Sequence, residues 1–221
     1  MMLFYNAVAL GALGMLANAH MEMVKPCARY TPHGDNCPQP PAGQSVDYSL
    51  SSPLERSAPL CKYTTPYDQP SETWTAGQQV TVEFYKNGGA AHGGGHCQFS
   101  ISYDNGKTFA VVHEELRHCF FNGPSTSNTP AVRSYTFKLP TDLPSSDRAV
   151  FAWTWVNAQG NREFYMNCTD VKIKGTSDSY TGKEMVIANH DGYETVPDFG
   201  GDYDTGIDLY NNAKKITVRP S

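Results

Sequence analysis

This sequence predicts an all-β fold, an immunoglobulin-like or fibronectin-like antiparallel β-sandwich with long loops and disulfide staples. Three observations predict it: short runs of period-two polarity separated by turn residues, the lack of a convincing long amphipathic helix, and six cysteines in 221 residues. Val80, Val82 and Phe84 share one face of the first clear run, and Cys97, Phe99, Ile101 and Tyr103 share a face of the next. The second run ends in Asp104-Asn105-Gly106, a hairpin signal into residues 109–112. Tyr135, Phe137 and Leu139 alternate until Pro140 stops them, and the largely apolar stretch 149–156, with Trp153 and Trp155, reads as a central strand. Val171 and Ile173 alternate with Lys172 and Lys174, and the same parity carries back to Tyr165 and Glu163.

Composition removes several classes of function. The net charge is −5, from 17 basic and 22 acidic side chains, and no Lys/Arg cluster supplies the footprint that a phosphate backbone requires. Nucleic acid is therefore not an expected partner. The first nineteen residues carry no charge and place a short apolar run before Ala17-Asn18-Ala19, which reads as a secretory signal peptide. Later residues contain no apolar run approaching the roughly 20 residues of a membrane span, so no membrane partner is expected. The reading divides the chain into a signal peptide (1–19), a β-sandwich domain (20–175), and an acidic C-terminal extension (176–221) packed on or trailing the core. It predicts a secreted, extracellular monomer.

In an exported chain, Cys27, Cys37, Cys61, Cys97, Cys119 and Cys168 read as three disulfides, with fifteen pairings open. The preferred set is Cys27–Cys37, Cys61–Cys168 and Cys97–Cys119. Residues 26–70 hold nine of the fifteen prolines together with Tyr30, Tyr48, Tyr63 and Tyr67, and read as an ordered surface loop. The acids beyond Gly175 read as a solvated face.

Signal cleavage after Ala19 would place His20 at a free amino terminus, where its amine and ring Nδ1 can chelate one metal ion. His92 precedes three glycines, Gly93, Gly94 and Gly95, and is the expected second ligand, with His96 as a rival. His33, His113, His118 and His190 stand in polar settings and read as solvated. One amine and two imidazoles favour copper(II) among the first-row divalent ions.

At these residues the chain resembles a known family. His20-Met21-Glu22-Met23, Ser52-Pro53-Leu54 before Cys61-Lys62, His92-Gly93-Gly94-Gly95 before Cys97-Gln98, Trp153-Thr154-Trp155, and residues 160–168 occur in the order seen in auxiliary activity family 11 lytic polysaccharide monooxygenases, which are fungal copper enzymes. The resemblance is close over residues 61–173 and at the mature start. It implies one copper per chain in a brace of His20 and His92, Tyr165 at the axial position, Glu163 as the carboxylate beside it, and Ala90 crowding the other axial side. A salt bridge to Arg162 is the structural alternative for Glu163. The implied activity is oxidative cleavage of glycosidic bonds in crystalline chitin, using hydrogen peroxide or dioxygen and an external reductant, either a small molecule or a protein electron donor. Tyr30, Tyr48, Tyr63 and Tyr67 are candidate contacts with sugar rings. Two features depart from the family pattern: His96 stands where a serine is expected, and the Cys27–Cys37 pair is additional.

Overall fold

A computed structural model describes residues 20–220, so the signal peptide expected over 1–19 lies outside the described residues. Ten strands and one short helix follow in chain order: β1 (Met23–Lys25), β2 (Glu72–Thr75), β3 (Gln79–Phe84), β4 (Gly95–Ser102), β5 (Ala110–Glu115), β6 (Ser134–Lys138), β7 (Ser146–Asn157), β8 (Phe164–Lys174), β9 (Tyr180–Lys183), α1 (Ile207–Asn211) and β10 (Lys215–Val218). They form a three-stranded sheet ordered β1-β3-β6, a five-stranded sheet ordered β2-β8-β7-β4-β5, and a small β10-β9 ribbon. The sandwich is all-β, as the alternating runs predict. Among the described residues no helix is long and apolar enough to cross a membrane.

Side-chain parity assigns the two faces of the large sheet to two different cores. Phe99, Ile101, Phe151, Trp153, Trp155, Tyr165, Val171 and Ile173 point inward, against Val80, Val82, Phe84, Tyr135 and Phe137 of the smaller sheet. On the other face Val150, Ala152, Val156, Phe164, Met166 and Cys168 pack under Leu54, Cys61, Met185, Ala188, Val196 and Phe199. The apolar run 149–156 is thus a strand covered on both sides, which is why it shows so little alternation. Residues 176–220 supply much of that second cover. Their acids face mainly solvent, and bases on the core or within the segment meet some of them: Arg117 with Asp204 at 2.7 Å, Arg162 with Asp198 at 3.5 Å, and Lys214 with Glu184 at 3.2 Å.

One pairing departs from the antiparallel expectation. β2 runs parallel to β8, with Trp74 opposite Ile173. A parallel partner arrives through a long crossover instead of a turn, so no local residue pattern signals it. At the β4–β5 hairpin, Asn105 and Gly106 take φ of 60° and 83°, and the Asp104 carboxylate accepts hydrogen bonds from the Lys107 and Thr108 amides and the Thr108 hydroxyl.

Residues 26–70, which link β1 to β2, form a packed wrap, and burial corrects the sugar-contact role expected for Tyr30 and Tyr67. Tyr30 and Tyr67 are buried: the Tyr67 hydroxyl accepts from the Tyr30 amide and donates to the Ala28 carbonyl, while the Tyr30 hydroxyl donates to the Thr65 carbonyl. Tyr63 is half-buried, its ring 4.5 Å from that of Tyr30. Phenols that satisfy the wrap's backbone cannot also face a substrate; only Tyr48, at 80% exposure, stands free of the core. Beneath the wrap, Arg29 makes a two-point salt bridge with Asp170, at 3.0 and 2.6 Å, both side chains being almost fully buried. The disulfides are Cys27–Cys37, Cys61–Cys168 and Cys97–Cys119. Cys61–Cys168 joins the wrap to β8 across 107 residues, a span worth about 4–5 kcal/mol in the chain-entropy model.

The four histidines expected in solvent are not simply solvated. His33 stacks on Tyr85 at 3.9 Å and bonds Glu22, and His113 stacks on Phe137 at 4.4 Å. His118 meets the Tyr203 ring at 4.4 Å, and His190 is buried, its Nε2 bonded to the Ala58 carbonyl. Neighbours distant in sequence create each of these environments.

His96 is also settled as a core residue, 1% exposed between Phe199 and Tyr210. Its Nδ1 accepts from the Arg117 amide, so Nε2 carries the proton and donates to the Thr205 carbonyl at 3.0 Å. Burial pushes its pKa down to about 4. The folded state therefore keeps His96 neutral where the unfolded chain, titrating near 6.5, binds a proton. His96's contribution to stability is complete above pH 6.5 and falls toward pH 4, by at most about 1.4 kcal/mol per pH unit. Thermal unfolding followed across that window should show this loss, and His96→Gln should flatten the slope. Asp170→Ala, which strands the buried Arg29 guanidinium, should cost about 3–5 kcal/mol in denaturant unfolding.

Candidate metal centre

The site forms where β4, β7 and β8 end together. Register brings Cys97 opposite Trp155, and Trp155 opposite Tyr165, as one row on the inward face. Just beyond this row β4 gives way to the glycine loop. Gly95 is required there: at φ 129° its hydrogen lies against the Val156 carbonyl, and a Cβ would collide with it. The Trp155 indole N–H donates to the Gly94 carbonyl at 3.2 Å. Farther back in the loop, Ala91 N–H bonds the Asn128 carbonyl, and the His92 carbonyl accepts from the Gln159 amide at 3.1 Å. The His92 ring stacks over Trp155, with centroids 5.8 Å apart.

His20 reaches the same place from the other sheet. Strand β1 is held by the Met23 amide donating to the Asn167 side chain, and by the Glu22 carbonyl accepting from the Tyr85 amide. Asn167 is a positioning residue that the sequence reading missed; its Nδ2 also donates to the Leu50 carbonyl. The available signal was its parity, two residues from Tyr165 in a buried run, where a polar side chain needs partners. Gly89 lies against the His20 carbonyl, and Ala90, the expected crowding residue, is buried two positions before His92.

Tyr165 is the common neighbour. Its ring centroid lies 5.9 Å from that of His20 and 6.5 Å from that of His92. The hydroxyl donates to Glu163 Oε2 at 2.7 Å and stands 3.4 Å from His92 Nε2, itself 3.9 Å from the same carboxylate oxygen. Burial, reinforced by the hydrogen bond to Glu163, drives the Tyr165 pKa far above its ordinary value, so the phenol stays neutral. Burial also lowers the His20 pKa, with the charge of Glu163 opposing and that of His92 assisting, which favours the neutral ring that a metal needs. The hydrogen bonds of Arg162 go to the carbonyls of Gly160, Asn157 and Pro197 and to Asp198, so the Arg162–Glu163 salt bridge is replaced by contacts that leave Glu163 to Tyr165.

The donor chemistry fits copper on one condition. Among the described residues no three His, Cys, Asp or Glu side chains cluster as a metal site, so side chains alone do not make one here. Two imidazoles gain a third strong donor only if the His20 amine is free, and three nitrogens with a neutral phenol nearby suit copper(II). His96 offers no ligand, since both its ring nitrogens are committed.

Comparison with known proteins shows which family the chain belongs to. The family model described as "Lytic polysaccharide mono-oxygenase, cellulose-degrading" matches residues 21–171. An Aspergillus fumigatus protein, "AA11 family lytic polysaccharide monooxygenase A", is 43% identical over 176 residues, covering 77% of this chain and 72% of that protein. An Aspergillus oryzae "AA11 family lytic polysaccharide monooxygenase" is 31% identical over 189 residues, 79% of this chain but only 39% of the relative. Among solved structures, a cellulose-active polysaccharide monooxygenase from M. thermophila aligns with a TM-score of 0.48 at 14% identity, over 74% of this chain and 80% of that one. A family model spanning most of the described sandwich, and a relative this similar over most of both lengths, place the chain in one group: it belongs to the auxiliary activity family 11 lytic polysaccharide monooxygenases.

Proposed function

We propose that this protein oxidatively cleaves the glycosidic bonds of crystalline chitin, with one copper ion held by the His92 ring and by the ring and free amine of His20. The observation that carries this reading is the hydrogen-bonded set of Tyr165, Glu163 and His92, with the His20 ring against the same tyrosine. Bound copper would supply one-electron redox chemistry, with hydrogen peroxide or dioxygen as co-substrate and an external small molecule or protein as electron donor. The chain's own residues do the rest. The rings of His20 and His92 offer nitrogen donors, burial favours the neutral form of His20, and stacking on Trp155 limits how His92 can turn. Tyr165, kept as a phenol, donates to Glu163 and so orients that carboxylate. Glu163, with 19% of its side chain exposed, takes up or returns a proton at the edge where co-substrate and sugar arrive.

Chitin is the substrate that the family-11 resemblance implies, whereas the matching family model is described as cellulose-degrading, so the two polysaccharides are the alternatives to compare. His92 and Glu163 keep 16% and 19% of their side chains exposed, which suits a surface that cannot enter a pocket, and Tyr48, 80% exposed, is the tyrosine of the wrap most free to meet a sugar ring. The reading has the protein secreted as a monomer, with His20 freed by cleavage after Ala19.

Mass spectrometry of β-chitin and cellulose treated with copper-loaded protein, ascorbate and peroxide should show oxidised oligosaccharides from chitin. His92→Ala should abolish tight one-to-one copper binding, measured by calorimetry, and with it all oxidised products. One extra glycine placed before His20 should do the same. Oxidised products only from cellulose would overturn the chitin assignment; tight copper binding without oxidised products from either would leave a copper-binding protein. Glu163→Gln should keep copper binding while slowing product release from chitin by about 10²–10⁴-fold, the usual range for losing a proton-transfer group.

A further inference from the structure

His92 stands at φ 40°, a left-handed conformation that a side chain bearing a Cβ resists and that persists only where its surroundings hold it. The loop hydrogen bonds already described account for part of that hold. A further part comes from residues 197–205, a segment remote in sequence. The Tyr203 hydroxyl accepts from the Ser125 amide at 2.9 Å and shares its one proton between the Ser125 carbonyl at 2.6 Å and the Gly93 carbonyl at 3.1 Å. The Gly93 amide in turn donates to the Ser127 carbonyl, so Tyr203 sits where the glycine loop meets the 125–128 turn. On the other side of His92, the Asp198 carboxylate accepts from the Gly160 amide at 3.0 Å, while Arg162 grips the Gly160 and Pro197 carbonyls. Gly160 is in contact range of the ligand ring: a Cβ built there would lie 3.7 Å from His92 Nδ1. The segment is itself tied down, by the Phe199 amide on the Ala158 carbonyl, Arg117 on Asp204, and His96 on the Thr205 carbonyl.

We infer that residues 197–205 are a positioning strap for the metal ligand His92, with Tyr203 pinning Gly93 on one side of it and Asp198 pinning Gly160 on the other. The inference rests on the reading of His92 as a copper ligand. Neither Tyr203 nor Asp198 touches the reacting atoms; both act through the backbone that aims the His92 ring. Supports one step removed from a ligand commonly change metal affinity by about 10–100-fold when lost.

The test uses protein beginning at His20, with Tyr203→Phe and Asp198→Asn as two independent, near-isosteric changes and Tyr193→Phe, a half-exposed tyrosine just before the strap, as control. In metal-free protein, amide hydrogen exchange at residues 91–94 should speed up by about tenfold in both variants and stay unchanged in the control. In copper(II)-loaded protein, the paramagnetic resonance spectrum should shift and copper affinity should fall by about tenfold. A lower melting temperature with unchanged exchange at 91–94 and an unchanged spectrum would overturn the inference, since the segment would then only stabilise the fold. If the unaltered protein binds no copper, the reading of His92 as a ligand fails, and with it the inference that the strap aims a metal ligand. Exchange at 91–94 measured in the same metal-free samples would then show separately whether the strap still holds the loop.

Discussion

Strands β7 and β8 are buried on both faces, and most of the architecture follows from that constraint. An antiparallel pair lying on a single core would show alternating polarity and leave one face wet. Here Trp153, Trp155 and Tyr165 face the smaller sheet, while Val156, Phe164 and Met166 on the same strands face outward and need a second cover. Residues 54–61 and 185–199 provide it. Exposing that outer layer would uncover large apolar side chains at roughly 25 cal/mol per Å². The C-terminal segment is therefore part of the hydrophobic structure, and its acidic composition is a property of the side it turns to water.

The site inherits its rigidity from this double burial. Tyr165 belongs to a strand packed above and below, its phenol drawn toward the Glu163 carboxylate, and His92 stacks on Trp155 of the neighbouring strand. These two anchors are inflexible sheet residues. The parts that loops supply, His92 and Glu163 themselves, are short excursions from strand ends, His92 fastened by the hydrogen bonds of its glycine loop and Glu163 by the Asn157 and Asn189 side chains. Small distance errors at a ligand matter, and strands transmit less of them than long loops do.

Electrostatics follow the same division between inside and edge. Burial disfavours charge on His20, His96 and Tyr165, leaving Glu163 as the carboxylate among largely neutral rings. Arg162, adjacent in sequence and the obvious partner for Glu163, is drawn instead to carbonyls and to Asp198. A base that neutralised Glu163 would weaken its capacity to exchange a proton at the site. The contacts that hold Arg162 away from it are thus also contacts that keep the C-terminal segment in place.

Much of this protein was legible in its sequence. Strand positions follow from period-two alternation, the family from ordered motifs around His20, His92 and Glu163–Cys168, and the shared face of Glu163, Tyr165, Val171 and Ile173 from parity alone. These are properties of neighbouring residues, and local physics encodes them. What the sequence could not reveal depends on residues far apart along the chain: the parallel β2–β8 pair, the burial of Tyr30 and Tyr67 beneath the 26–70 wrap, and the commitment of both His96 nitrogens to Arg117 and Thr205. A tyrosine in a proline-rich loop reads the same whether it faces water or satisfies a buried carbonyl, and a histidine beside glycines reads as a ligand until its partners are known. Only tertiary structure decides such cases, because burial and hydrogen-bond satisfaction are set by what packs against a residue, and here that partner lies about 20–110 residues away.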